Sequence, residues 1–320
     1  MEKVYAPLDI AVIIPCFNEA QGINEVVLGF QKSLPEATIY VYDNNSTDNT
    51  KALAEKAGAV VRDELRQGKG YVVRRMFADI EADVYVMVDG DDTYDASAAR
   101  DLVQKLVSEN LDMVNGARQA TVESAYRLGH KLGNRVLTGL VQLIFGKQFN
   151  DMLSGYRVFS RRFVKSFPQS SSGFEIETEL TIHALELQMP TAEIGIHFKD
   201  RAEGSESKLS TFSDGFRILV TIANLLRQEK PIVTFFSLGM LLLLSSIILA
   251  YPLAVTYLET GLVPRFPTAI LSTGLASLSF LSFTAGLILD TVTRGRQESK
   301  QMRYLQIPSP LSAMISKRAV

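Results

Sequence analysis

Short apolar runs alternate with segments of helical periodicity from residue 8 to about 200. The apolar runs have the length of buried strands, and the periodic segments repeat apolar positions every three to four residues. Strands that alternate with helices indicate an α/β domain, about residues 1–210, with a mostly parallel sheet and helices on both faces. The pattern predicts strands at 10–15, 38–43, 59–62, 84–89 and 113–116, and helices at 19–33, 47–58, 70–80 and 96–109.

Two long apolar runs without a charged residue follow, at 232–258 and 266–289. Each run exceeds the roughly 20 residues that span a bilayer, which predicts a transmembrane hairpin over about 231–290. Two buried core helices are the alternative. The segment 211–230 combines apolar and basic positions at helical spacing, which predicts an amphipathic helix at the membrane interface or, alternatively, on the domain surface.

Basic residues flank the predicted hairpin on its outer sides, whereas the connecting loop 259–265 has a single one. The positive-inside rule therefore places both ends in the cytoplasm, including a tail at 291–320 that is expected to be weakly structured after Arg303. This predicts an integral protein of the cytoplasmic (inner) membrane, whose spans offer a surface for a homo-oligomer. The flanking residues are Arg217, Arg227 and Lys230 before the first run, and Arg294, Arg296 and Lys300 after the second.

Composition narrows the function classes. The formal net charge of −2 argues against nucleic acid as a partner. The single cysteine, Cys16, excludes a disulfide within the chain and fits a reducing compartment. The apolar run that begins at Ile10 is too short for the core of a signal peptide and follows Asp9, so the α/β domain is expected to stay in the cytoplasm.

Polar residues follow three of the predicted strands, and an acidic cluster is the strongest candidate for chemistry. Glu19 follows the first strand, Asp43 follows the second, and Asp89 and Asp91 follow the strand that begins at 84. Ligands of parallel sheets bind beyond the carboxyl ends of the strands, so these groups are expected to face one crevice. Carboxylate oxygens suit a hard divalent cation, which would neutralise the pyrophosphate of a nucleotide sugar. An ordinary acidic turn is the alternative.

The motifs together resemble family 2 glycosyltransferases of the GT-A fold. The resemblance covers residues from about 10 to 230, and the predicted hairpin agrees with the bacterial membrane-bound branch. The early motifs are Pro15-Cys16-Phe17-Asn18-Glu19, Asp43-Asn44-Asn45-Ser46-Thr47-Asp48, Gly68-Lys69-Gly70 and Asp89-Gly90-Asp91-Asp92. Later segments are similar to dolichol-phosphate mannose synthases and bacterial polyprenyl-phosphate glycosyltransferases, namely Asp151 with Ser154-Gly155-Tyr156-Arg157, and Phe198-Lys199-Asp200-Arg201 with Ser205-Glu206-Ser207-Lys208-Leu209.

The resemblance implies a donor site for a nucleotide sugar and a divalent ion, Mg²⁺ or Mn²⁺. Asp43 would bind the base, and Asp89 and Asp91 would lie at the ribose, the pyrophosphate and the metal, with Asp91 the main ligand. Thr93 stands where the mannose synthases typically have Gln, so Asp92, Thr93 or water would complete the metal shell. Lys69 would touch a phosphate or lie in a mobile loop. The donor-site residues are expected to be Pro15, Phe17, Glu19, Asp43, Lys69, Asp89, Gly90 and Asp91.

The implied acceptor is a polyprenyl phosphate, which is ionised at neutral pH and attacks the anomeric carbon without a general base. Basic side chains would bind that anion beside the donor phosphates, and solvated surface charge is the alternative for each. The acids Glu175, Glu177 and Glu179 are expected on a helix surface or in a positioning role, although soluble family members use an acid in this region as a base. The basic candidates are Arg118, Arg127, Arg135 and Arg201 for the acceptor phosphate, with Arg201 and Lys208 also in catalysis.

The sequence therefore predicts an inverting glycosyltransferase that moves one sugar from a nucleotide diphosphate to a polyprenyl (undecaprenyl or dolichyl-type) phosphate at the cytoplasmic membrane face. One alternative is a transferase that acts on another lipid or on a polysaccharide. The other is a non-catalytic, nucleotide-sugar-binding membrane scaffold. The chain has no Trp, which counts against the Gln-x-x-Arg-Trp motif of processive synthases, and the intact acidic cluster counts against a scaffold.

Overall fold

The computed structural model of the chain forms two compact units. The sheet unit comprises Met1–Leu219 and Lys300–Val320, and the helical unit comprises Val220–Ser299. The residues that the structure describes are 8–120, 139, 149–168, 173, 175–199, 220, 223–224, 226–227 and 230–318. Most of the predicted amphipathic helix at 211–230 lies outside them.

A seven-stranded sheet forms the centre of the sheet unit, with the strand order β3-β2-β1-β4-β6-β5-β7. Its strands are β1 Ile10–Cys16, β2 Thr38–Asp43, β3 Val60–Asp63, β4 Val84–Met87, β5 Met113–Ala120, β6 Arg157–Ser160 and β7 Thr191–Phe198. The helices between them are α1 Ile23–Ser33, α2 Thr50–Lys56, α3 Lys69–Asp79, α4 Ala99–Ser108, α5 Arg161–Ser166 and α6 Ile176–Glu186.

The predicted mostly parallel sheet is confirmed. Strand β1 pairs in parallel with β2 on one side and with β4 on the other, and Ile13 lies opposite both Tyr40 and Met87. Residues 12–14 of β1 are fully buried, as expected for a central strand that is covered on both faces. Strand β6 is the exception to the parallel arrangement, because it runs antiparallel to both of its neighbours, β4 and β5.

Helix α1 begins later than predicted, at Ile23 instead of residue 19. Asn18 has a left-handed backbone with φ 51°, so the chain turns sharply after β1 before the helix can start. Gly22 lies against the main chain of Asp91, and a Cβ atom there would be 2.9 Å from the Asp91 carbonyl carbon. The turn between β1 and α1 is therefore packed directly on the acidic cluster.

The helical unit contains α7 Pro231–Thr260 and most of α8, which runs from Phe266 to Leu305. By length and composition, both helices are apolar enough to cross a membrane. Hydroxyl groups link them, because Ser246 Oγ donates to the Ser272 carbonyl at 2.7 Å and Ser279 Oγ donates to the Gly239 carbonyl at 2.8 Å. Large apolar side chains face outward instead, with Ile248 71% exposed.

The prediction of a weakly structured tail is wrong. Helix α8 continues to Leu305, and a further helix, α9 Pro310–Arg318, follows within the sheet unit. Lys317 Nζ lies 2.5 Å from the Asp9 carboxylate and 2.7 Å from that of Asp83. Tyr304 donates to the buried Asp112 at 2.7 Å. The polar sequence after the second apolar run is ordered because its charged and aromatic residues find partners on the sheet unit.

Candidate active site

The carboxyl ends of β1, β2 and β4 border a cavity of about 360 Å³. Strand-end residues and the first turn of α3 form its walls, as the parallel topology requires. Phe198, the last residue of β7, also lines it, and Tyr94, Leu153 and Glu177 do so from segments that the strand-end rule does not cover. The predicted site residues that line the cavity are Pro15, Phe17, Glu19, Lys69, Asp89, Gly90, Asp91, Thr93 and Arg118.

Hydrogen bonds join the motif that follows β1, Pro15-Cys16-Phe17-Asn18-Glu19, to the segment that follows β2. The Glu19 N–H donates to Thr50 Oγ1 at 2.8 Å, and the Thr47 N–H donates to Asn18 Oδ1 at 2.7 Å. These bonds satisfy one main-chain N–H in the turn after β1 and one in the loop after β2. The polar residues of both motifs therefore fix the position of Glu19 at the cavity.

Asp43 is the last residue of strand β2 and Asn44 follows it, and their side chains contact different groups. Asp43 Oδ2 accepts the Ser46 N–H at 3.0 Å, whereas its Oδ1 is buried without a hydrogen-bond partner among the described residues. Asn44 donates to the carbonyls of Glu64 and Arg66 at 2.8 and 2.7 Å and accepts the Gly68 N–H at 2.7 Å. Asn44 thus fixes the loop before α3, whose first residue is Lys69.

The acidic cluster divides between two cavities. Asp91 lines the main cavity, is only 6% exposed, and accepts the Thr93 hydroxyl at 2.6 Å. Asp92 has a left-handed backbone with φ 56° and lines a second cavity, where its carboxylate lies 2.7 Å from Lys199 Nζ. The residue between Asp89 and Asp91 is Gly90. A larger residue does not fit there without a shift, because a Cβ atom would be 2.6 Å from Cys16 Sγ.

Lys69 lies between two carboxylates. Its Nζ is 2.6 Å from Asp89 Oδ1 and 2.5 Å from Glu177 Oε1. Burial alone would lower the pKa of Lys69, but Asp89 and Glu177 outweigh it and raise the pKa above its ordinary value. Burial raises the pKa of Glu177, an effect that Lys69 opposes. Lys69 is therefore a protonated part of the site, and of its two expected places, a phosphate contact or a mobile loop, the structure excludes the loop.

Glu177 is a site residue that sequence reasoning missed. A helix-surface position is wrong for both Glu177 and Glu179, which are 4% and 7% exposed. Helix α6 is buried from Ile176 to Leu185 and shows no polar face, so no periodic pattern marked its inner side. The sequence of α6 mixes acidic, hydroxyl and apolar side chains, so it did not distinguish a buried Glu177 from a solvated one.

Arg118 extends from β5 and is held by Asp151. Its Nε and Nη2 donate to the two carboxylate oxygens at 2.7 and 2.8 Å, and its guanidinium lies 5.7 Å from the centre of the Phe198 ring. A bidentate pair fixes the plane of the guanidinium as well as its position. Arg118 is thus the predicted acceptor-side cation that the structure places in the cavity.

The segment from Ser154 to Arg157 packs beside Asp89. A Cβ atom on Gly155 would be 2.3 Å from Asp89 Oδ2, so only glycine fits there without a shift. The fully buried Arg157 donates to the Ser154 carbonyl at 2.9 Å and to Thr181 Oγ1 at 2.8 Å. Burial lowers the pKa of Arg157 to about 10. This later motif is therefore a support that joins the acidic cluster to helix α6.

Asp89 and Asp91 are the predicted metal ligands, and both line the main cavity together with the carboxylates of Glu19 and Glu177. Among the described residues, no three Asp, Glu, His or Cys side chains converge on one point that a metal could occupy. Two carboxylates fit an ion such as Mg²⁺, which proteins usually bind through one or two carboxylates together with substrate phosphates and water. Thr93 uses its hydroxyl proton to hold Asp91, as partners of metal ligands commonly do.

The remaining predicted site residues lie outside the described part of the chain. They are Arg127, Arg135, Arg201 and Lys208. Their proposed roles stay predictions.

Comparisons with known proteins agree with this geometry. The family model described as Glycosyl transferase family 2 matches residues 11–167. Glycosyltransferase AglJ of Haloferax volcanii is 33% identical over 235 residues, which are 73% of this chain and 77% of AglJ. The dolichyl-phosphate hexose transferase of the same organism is 27% identical over 223 residues, which are 69% of this chain and 96% of that protein.

A solved structure also shares the fold. Glucosyl-3-phosphoglycerate synthase from Mycobacterium tuberculosis, in complex with Mn²⁺, UDP-glucose and phosphoglyceric acid, superposes with a TM-score of 0.59 at 22% identity. The superposition covers 68% of this chain and 80% of that chain, so the predicted GT-A fold is confirmed. The family model spans the motif-bearing strands, and the alignment with AglJ, at 33% identity, spans 77% of that protein, so the chain belongs to glycosyl transferase family 2.

Proposed function

We propose that the protein transfers one sugar, with inversion at the anomeric carbon, from a nucleotide diphosphate to a polyprenyl phosphate at the cytoplasmic face of the inner membrane. One observation carries the proposal. The paired carboxylates Asp89 and Asp91 share a cavity with the Arg118 guanidinium, which Asp151 holds in a fixed plane. Such a cavity suits a diphosphate with its metal on one side and a second phosphate on the other.

The ends of β1 and β2 support binding of the nucleoside. Pro15 and Phe17 line the cavity and offer apolar contact. Asp43 is not among the lining residues, but its buried Oδ1, which has no hydrogen-bond partner among the described residues, would accept an N–H of a base that reaches the end of β2. A buried oxygen without a hydrogen bond costs free energy that a bound ligand recovers. The M. tuberculosis synthase, solved with UDP-glucose, supports a nucleotide sugar as the donor.

Asp91, with Asp89, would hold a divalent ion, Mg²⁺ or Mn²⁺, whose charge neutralises the leaving nucleoside diphosphate. Thr93 orients the Asp91 carboxylate, and Lys69 keeps Asp89 in place from the other side. These contacts hold both carboxylates in defined orientations at the cavity. The Mn²⁺ in the M. tuberculosis structure supports a divalent ion in this fold.

In the transfer, an oxygen of the acceptor phosphate forms a bond to the anomeric carbon while the bond from that carbon to the donor phosphate oxygen breaks. The nucleoside diphosphate leaves on the opposite face, which inverts the configuration. The attacking oxygen is already ionised, so the site has to orient an anion and does not have to remove a proton. Arg118 would do so, and Glu177, which is bound to Lys69, would position that lysine without acting as a base.

The acceptor and the location have separate support. Helices α7 and α8 are long and apolar enough to cross a membrane, and many of their large side chains are exposed. Basic residues at both outer ends of the apolar runs favour a cytoplasmic sheet unit. The relative named dolichyl-phosphate hexose transferase supports a lipid phosphate as the acceptor.

The proposal is tested by incubating the purified full chain, in detergent with added lipid, with polyprenyl phosphate and a panel of labelled UDP-, GDP- and dTDP-hexoses. We expect one donor to yield lipid-linked label, and chelation of divalent metal to abolish the yield. Label that appears only in a polysaccharide or in another lipid would overturn the acceptor. If no donor is consumed, the interpretation as a non-catalytic, nucleotide-sugar-binding scaffold replaces the interpretation as an enzyme.

Replacement of Asp91 by Ala should lower the transfer rate on the order of 10³-fold, because several kcal/mol of charge stabilisation are lost. The matched control is Asp101→Ala, which removes an exposed acid from the first turn of α4 and should leave the rate unchanged. Full activity of the Asp91→Ala enzyme would contradict the metal assignment.

A further inference from the structure

Helix α6 carries an ion pair at each end, and only the first pair belongs to the cavity. Glu177, in the first turn, binds Lys69 beside Asp89. Glu186, the last residue of the helix, lies 2.6 Å from Lys300 Nζ. The side chains of this second pair are only 3% and 12% exposed. Lys300 comes after the second apolar run, in a segment that no catalytic motif includes.

The two ends of α6 are linked by a helix that has little freedom to move. Every residue from Ile176 to Leu185 is buried, and 11 residues of helix span about 16 Å. Arg157 holds the middle of the helix through Thr181, whose hydroxyl in turn donates to the Glu177 carbonyl at 2.9 Å. Because buried side chains are close-packed, a displacement at one end must be accommodated along the whole helix.

We propose that Lys300 is a positioning residue for the donor site. Through Glu186 it sets the position of α6, and thereby the position at which Glu177 holds Lys69 against Asp89. The inference rests on the proposed function, since Lys69 and Asp89 matter only if a donor binds beside them. Loss of Lys300 removes the cation that lies 2.6 Å from the buried Glu186 carboxylate, and the C-terminal end of α6 must shift to lower the cost of that buried charge.

The same stretch of α8 offers a matched control. Tyr304 lies four residues after Lys300 and also joins α8 to the sheet, but it does so through Asp112 and Arg162, which lie outside α6. Tyr304→Phe therefore weakens the attachment of the C-terminal segment without disturbing the Glu186 ion pair. If Lys300 only stabilises the fold, variants at Lys300 and Tyr304 should have similar Kd values for the nucleotide. If Lys300 positions the donor site, only the Lys300 variant should have a higher Kd.

The experiment titrates UDP, GDP, dTDP, CDP and ADP into the purified full chain with Mg²⁺ by calorimetry, and records thermal unfolding of each variant. For the nucleotide that binds the wild type, Lys300→Met should raise Kd roughly 5- to 10-fold. Lys300→Arg should restore binding. Lys300→Met combined with Glu186→Gln should recover most of the affinity, because the buried charge that forces α6 to shift is then absent. Tyr304→Phe should lower the unfolding temperature and leave Kd within about 2-fold of the wild type.

Equal Kd values for Lys300→Met and Tyr304→Phe would overturn the inference and leave the proposed function intact. If Lys300→Met does not fold, Lys300→Gln decides the same question, because it also removes the cation beside Glu186 while keeping a polar side chain; a Kd higher than that of Tyr304→Phe supports the positioning role and an equal Kd refutes it. If the wild type binds none of the five nucleotides, the proposed function fails first and the inference fails with it.

Discussion

Lys69 and Arg118 are buried cations of one cavity, yet they are neutralised in different ways. Lys69 is shared by the carboxylates of Asp89 and Glu177, so this side of the cavity keeps an excess of negative charge. Arg118 is paired with Asp151 through two hydrogen bonds, one to each carboxylate oxygen. An excess of carboxylate favours the arrival of another cation, whereas a guanidinium fixed in its plane is suited to orient an anion. Under the proposed function, we expect this difference to divide the cavity into a donor side and an acceptor side.

The largest expected effect comes from removing the shared cation. Lys69→Met leaves two carboxylates side by side, one of them almost fully buried, and should destabilise the fold by about 3 kcal/mol. Adding Glu177→Gln to this variant should restore most of the loss, because a single carboxylate then remains. Thermal unfolding of the detergent-solubilised chain measures both.

Lys51→Met is the matched control for Lys69→Met. Lys51 also contacts a carboxylate, that of Asp63 at 2.7 Å, but both side chains are nearly half exposed. Exposed pairs contribute little, so this change should leave the unfolding temperature almost unaltered. Equal losses of stability in Lys51→Met and Lys69→Met would show that the buried group of Lys69, Asp89 and Glu177 stabilises the fold no more than an exposed ion pair does.

On the acceptor side, Asp151→Asn should raise the KM for polyprenyl phosphate about 10-fold and leave the donor KM unchanged, because one charge-assisted bond that orients Arg118 is lost. Initial rates at varied acceptor and at varied donor separate the two constants. A rise of the same size in the donor KM would contradict the proposed division of the cavity into a donor side and an acceptor side. Glu109→Gln, a change to an exposed acid beyond α4, serves as the control.

The smallest effect concerns His183, a buried base on α6 that contrasts with Lys69. Burial, with the Lys300 cation nearby, lowers the pKa of His183 to about 3 from an ordinary value of 6.5. The unfolded chain therefore binds a proton that the folded chain does not, so stability that is present above pH 6.5 is lost as the pH falls toward 3. At pH 5.5 the loss is about 1.4 kcal/mol.

His183→Gln should remove this part of the acid sensitivity, which appears as a smaller drop in unfolding temperature between pH 7.5 and pH 5.5, about one pH unit to either side of the ordinary pKa. His197→Gln is the control, because His197 is exposed and its replacement should leave the drop as it is in the wild type. The same drop in all three proteins would assign the acid sensitivity to other groups.

The first four strands were predictable because their signals are local. Each apolar run ends in polar residues, and the parallel topology brings those ends together without further information. Asp89 and Asp91 could therefore be placed from the sequence, and the cavity confirms that they meet the residues of β1. The assignment of the metal to Asp91 stays a prediction.

The second half of the sheet and the support of the site were not predictable in the same way. Strand β6 is four buried residues long and runs against its neighbours, so it has neither alternation nor length to mark it. Lys69 meets Glu177 across 108 positions of sequence, and only the folded chain brings them together. The tail was misjudged because its partners Asp9, Asp83 and Asp112 lie on distant strands and loops.

The docked C-terminal segment imposes an order on biosynthesis. Residues 300–318 leave the ribosome after α7 and most of α8, yet they bind the Asp112 carboxylate and reach Asp9 at the start of the sheet. The earlier part of the sheet unit must therefore wait, with these acids uncovered, until both apolar helices have been translated. The sheet unit is thus complete only after both apolar helices have been synthesised.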